Sequence, residues 1–151
     1  MYDFLLALHI LFAVFAIGPL VHAATTAGRG VRKGDGVATA TSVRLLRVYG
    51  YASVLVVIVG FALMSVNLPY GNGKEKAGEI GQLWIWLSLL LWAAAIGLIL
   101  GVIVPTLDNA TQLIAEQGSV VTLTARVAAA GGVVGLIFAA VVFLMVYRPG
   151  H

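Results

Sequence analysis

Two histidines, His9 and His22, lie inside long apolar runs of this 151-residue chain and are its foremost candidates for chemistry. An ionisable side chain within a hydrophobic helix is costly to place and marks a functional position by default. A neutral imidazole can serve there as a hydrogen-bond partner or as an axial or metal ligand. The thirteen-residue gap between them sets the rings about 20 Å apart along a helix axis, at about 1.5 Å per residue. At about 100° per residue, His9 shares a stripe with Ala13, Ala16 and Ala23, a small-residue face that should meet another helix. His22 falls instead with Leu11, Phe15 and Gly18.

Composition says what must position these rings. The chain is 61% hydrophobic and only 10% charged, with mean hydropathy +1.03. A water-soluble globule needs roughly a quarter of its residues charged, so lipid must form part of the solvent. Residues 4–24, 45–66, 83–105 and 127–147 form four apolar stretches of 21, 22, 23 and 21 residues, and Arg47 alone among the charged residues falls inside them. Each is long enough to cross a hydrocarbon core of about 30 Å as a helix. Backbone groups in lipid must satisfy one another, and no strand-like alternation suggests a barrel. The prediction is a single domain over 1–151, all-α, folded as an antiparallel up-down bundle of four transmembrane helices. Met1-Tyr2-Asp3 lacks the basic start of a signal peptide and the apolar run that follows exceeds a signal h-region, so the first stretch is expected to remain as a span.

Charge sets the expected orientation. Arg29, Arg32, Lys33, Arg44, Arg47 and Arg126 fall on one side, against Lys74, Lys76 and Arg148 on the other. The positive-inside rule then puts both termini outside a bacterial plasma membrane. The basic cluster of the first connection, Arg29, Arg32, Lys33, Arg44 and Arg47, suits anionic lipid headgroups. That connection, residues 25–44, reads as a flexible turn, and the second, 67–82, as an exposed mixed-charge loop around Lys74-Glu75-Lys76. The third is expected to start at Pro105 and to hold a short surface helix through Glu116, ended by Gly118. Helix packing is expected through the GxxxG pairs Gly97/Gly101 and Gly131/Gly135, glycine against glycine between the third and fourth spans or between protomers.

Much chemistry is excluded by what is missing. There is no cysteine, and no Asp or Glu lies within a span, which removes thiolate sites and intramembrane carboxylate catalysis. Neither an HExxH nor a Gly-x-Ser-x-Gly motif occurs, and no phosphate-binding glycine loop is present. The basic pI of about 9.5 reflects the sidedness of the connections, and no soluble basic surface exists for nucleic acid.

The spacing of His9 and His22 resembles that by which one helix of a di-haem membrane cytochrome offers ligands to two stacked haems. Spans two to four contain no histidine, so an opposing ligand would come from a second protomer or from the thioethers of Met64 or Met145, which lie toward the same side as His9. A wider resemblance rests on the Leu-His start Leu6-Ala7-Leu8-His9 with Gly18, the Arg-Lys-Gly-Asp turn at 32–35, and the segment from Trp84 through Leu89-Leu90-Leu91-Trp92 to Pro105. In these the chain resembles bacterial four-helix predicted integral membrane proteins of unknown function, themselves similar to copper-resistance-D-like membrane proteins. That resemblance implies a four-helix fold, a bacterial plasma membrane, and haem or copper connected with His9. The functional expectation is a non-enzymatic accessory or assembly subunit of a larger bacterial membrane complex, meeting lipid and other subunits or copies of itself. The alternatives are a redox module binding haem b or a metal through His9, with His22 as a further ligand, and a small oligomeric channel or exporter.

Overall fold

The computed structural model describes residues 1–69, 78 and 81–148. Four long helices account for most of them: α1 Tyr2–Arg32, α2 Gly36–Met64, α3 Leu83–Ala115 and α4 Val121–Tyr147. Each is long and apolar enough to cross a bilayer. The chain is an all-α, multi-pass membrane protein. Most of the second connection, with Lys74, Glu75 and Lys76, lies outside the described residues.

At the end of the bundle away from the termini, which carries most of the basic residues, the helices overrun the apolar stretches. The first connection, expected over 25–44, shrinks to Lys33, Gly34 and Asp35. Ala27, Val31, Thr39 and Val43 continue a buried face across the polar stretch, so helix is worth extending there. The turn is closed at both sides. Gly34 takes φ +65, and the N–H groups of Gly34 and Asp35 donate to the carbonyls of Val31 and Gly30 at 3.0 Å each. The Asp35 carboxylate then caps α2 by accepting from the Ala38 N–H at 2.9 Å.

The third connection also differs from its expected form. Instead of stopping at Pro105, α3 runs through it to Ala115. A π-helical turn, Ile99–Ile103, precedes the proline, and a matching one, Ala13–Ile17, precedes Pro19 in α1. A widened turn re-spaces the carbonyls that a proline ring would otherwise strike, so both helices continue past their prolines.

The four helices form a ring in which α1 packs on α2 and α4, and α3 on the same two. The tight core lies toward the basic end, where Leu20, Val31, Leu46, Ile103, Leu107 and Val127 are all fully buried. Its closest approach is the antiparallel seam between α1 and α4. A Cβ on Gly131 would strike the Ala24 carbonyl, one on Gly135 would come within 3.4 Å of the Thr25 methyl, and one on Gly28 within 3.6 Å of the Ala128 Cβ. The expected meeting of GxxxG pairs between the third and fourth helices does not occur. Gly131 and Gly135 face α1, while nothing lies within 4 Å of a Cβ at Gly97 or Gly101. The reason is the larger residues: Ala95, Ile99 and Ile103 form the buried face of α3, and Gly97 and Gly101 lie on its other side.

Polar contacts fasten α2 to α3 at two depths. The Ser53 hydroxyl donates to the Gly50 carbonyl at 2.6 Å and accepts from Trp92 Nε1 at 3.1 Å. Nearer the basic end, Arg47 pairs with Asp108 at 2.6 Å, with side chains 53% and 46% exposed. An ion pair so wet contributes about 0–1 kcal/mol, and its role is to fix register.

Candidate functional site

Toward the end that carries both termini the ring opens. The first turns of α1 stay on α2, and the first half of α3 stays on α4, but the contacts joining one pair to the other thin out. The change in α1 coincides with its π-helical turn, a feature that often marks functional sites. Between the two pairs lies a cleft of about 720 Å³, within the usual range for small-molecule sites.

Its walls are nearly all apolar. Leu6, Ile10, Ala13, Val14 and Ile17 come from α1, Val56, Val57, Phe61 and Leu63 from α2, and Phe138, Val141 and Val142 from α4. His9, Ser88, Trp84 and Arg148 supply the polar groups. His9 packs against Gly60 so closely that a Cβ there would lie 3.1 Å from the ring Cε1 and 3.5 Å from Nδ1. The Nδ1 atom is buried without a hydrogen-bond partner among the described residues, while the imidazole meets the Val56 backbone. Such an atom is costly in an apolar wall unless something else meets it.

Ser88 departs from the habit of the chain. Hydroxyls at Thr25, Thr39, Thr41, Ser42, Thr106 and Thr111 all donate to carbonyls one turn back, which hides them from lipid. Ser88 is 5% exposed, and its Oγ has no partner among the described residues. At the mouth, Arg148 sits over the Trp84 ring at 5.6 Å from its centroid, while Trp84 Nε1 donates to Gln82 Oε1 at 3.0 Å.

The residues singled out from sequence therefore divide. His9 and Ala13 line the cleft, as do Met64 and Met145, and Ala16 is buried beside it on α1. His22 is not part of the lining. It is exposed farther along α1, where its backbone carbonyl accepts the hydroxyls of Thr25 and Thr26. No cluster of three or more His, Asp or Glu forms among the described residues. Arg29, Arg32, Lys33 and Arg44 are exposed at the basic end without an ion pair among the described residues, whereas Arg47 is engaged with Asp108. Sequence reading passed over Gly60, Ser88 and the Trp84–Arg148 pair. A lone glycine or serine in an apolar helix carries no periodic signal, and Arg148 is 64 residues from its aromatic partner.

No family model matches the chain, and no curated protein or solved structure matches it.

Proposed function

We propose that this is a non-enzymatic membrane protein that binds an apolar-bodied small molecule in the cleft between its helix pairs, with His9 as the polar anchor. One observation carries it: His9, whose buried Nδ1 makes no hydrogen bond among the described residues, lines a cleft of ligand size whose walls are nearly all apolar. Haem b fits these residues, since the walls suit a macrocycle and the cleft gathers one imidazole with the thioethers of Met64 and Met145, donors known to hold haem iron. Bound haem would supply one-electron redox chemistry, while His9 and the apolar walls orient it and exclude water.

A second reading, an accessory subunit of a larger membrane complex, is favoured by the open small-residue face of Gly97 and Gly101 on α3, a surface that lets another helix approach closely. Apolar lining gives an ion or solute pore little support.

One preparation tests both. The protein is purified in mild detergent from membranes that natively contain it, and its absorption is recorded oxidised and after dithionite. A Soret band that disappears in His9→Ala is the expected result for haem, and a featureless spectrum excludes haem as the ligand. Co-purifying subunits that Gly97→Val releases are expected for the accessory role, which fails if the protein runs alone.

In this proposal the basic end, with Arg29, Arg32, Lys33, Arg44 and Arg126, faces the cytoplasm of a bacterial plasma membrane, and the cleft opens toward the outer leaflet. Fusions after residue 151 should give active alkaline phosphatase and dark green fluorescent protein. The reverse pattern overturns the orientation.

A further inference from the structure

We infer that the ligand of the cleft is an anionic amphiphile, its apolar body lying between the helix pairs and its negatively charged head resting on Arg148. This rests on the cleft being a binding site and adds the chemistry of what it selects. Apolar walls alone accept any hydrocarbon; selection must come from the polar groups.

Three observations define them. Among the described residues Arg148 is the one lining residue with a fixed charge, and none of them brings a carboxylate to the lining. It is held at the mouth by the face of Trp84 and follows the last turn of α4 in a left-handed conformation, φ 42, of the kind that ends many helices. A guanidinium so placed, beside low-dielectric walls, favours an anion over a neutral head. The third observation is Ser88, buried in the wall with an unpartnered Oγ. It follows Trp84 by four residues on α3, which sets it about 6 Å deeper at about 1.5 Å per residue. An amphiphile whose head sits at Arg148 reaches Ser88 with the polar groups that join head to body, and only its apolar part passes below.

Two common chemistries share this description, an acyl-chain carboxylate and a porphyrin carboxylate, and matched probes separate them. The protein with Trp86→Phe keeps Trp84 and Trp92, both lining residues, as its only tryptophans. In neutral maltoside micelles, above the ionisation range of the acids, quenching of these two tryptophans is titrated with dibrominated stearic acid against its methyl ester, and with protoporphyrin against its dimethyl ester.

The acid of at least one pair should bind about tenfold more tightly than its ester, and that pair identifies the source. Arg148→Gln should erase the preference and Arg148→Lys keep most of it; both act outside the helix and leave the core untouched. Esters that bind as well as their acids in both pairs, or a preference that survives Arg148→Gln, overturn the inference while the cleft still binds ligand. Quenching by none of the four probes overturns it together with the binding role itself.

Discussion

Gly131→Val is expected to destabilise the folded protein by about 3 kcal/mol, at the upper end of what overpacking usually costs. The obstacle is backbone on both sides. A Cβ at this position strikes the Ala24 carbonyl and lies 3.3 Å from the Thr25 Cα, and neither can rotate away as a side chain would. Relief requires α1 and α4 to move apart, which loosens the seam that buries Ala24, Ala27 and Val127. In a membrane such packing carries much of the association, because lipid offers apolar groups as good an environment as another helix does. Gly97→Val is the control: it places the same side chain in open space, with an expected change within about 0.5 kcal/mol. Unfolding both variants from mixed micelles with increasing dodecyl sulfate, followed by far-ultraviolet circular dichroism, gives the comparison. Equal midpoints for the two variants would show that the seam is not where the structure puts it.

Gly60→Val should have the opposite profile, leaving the fold and weakening the ligand. The added Cβ would stand 3.1 Å from Cε1 of His9, but an imidazole is the end of a flexible side chain with the cleft beside it, so the ring gives way. Disturbing the support of a histidine that ligates a metal typically costs about ten- to a hundredfold in affinity for that metal, here the iron of haem. If Gly60 acts through His9, its effect vanishes once His9 is gone. Titration of haemin into Gly60→Val, His9→Ala and the double variant should therefore show the double variant no weaker than His9→Ala alone. Additive losses would mean that valine acts by filling the cleft and not through His9.

These two glycines show where reading the chain stops. Gly131 stood out from sequence as half of a GxxxG pair, yet so did Gly97, and only one of them touches another helix. Gly60 belongs to no motif and supports the candidate anchor. Spacing gives the face on which a residue lies, but not what stands opposite.

By itself the sequence determined four membrane-crossing helices, all-α architecture, and the charge difference between the two ends, because hydropathy, span length and charge placement are properties of each segment taken alone. The overrun of the helices through residues 25–32 and past Pro105 was hidden by polar and proline signals. Those signals yield when a buried face continues, as at Ala27 and Val31, or when a π-helical turn makes room for the ring. Only the tertiary structure decided that α1 meets α4 through Gly131, that the helix pairs part near the termini, and that His9, Ser88 and Arg148 border one cleft. Each of these depends on which surfaces face each other across the bundle, a relation between distant segments that no single helix carries.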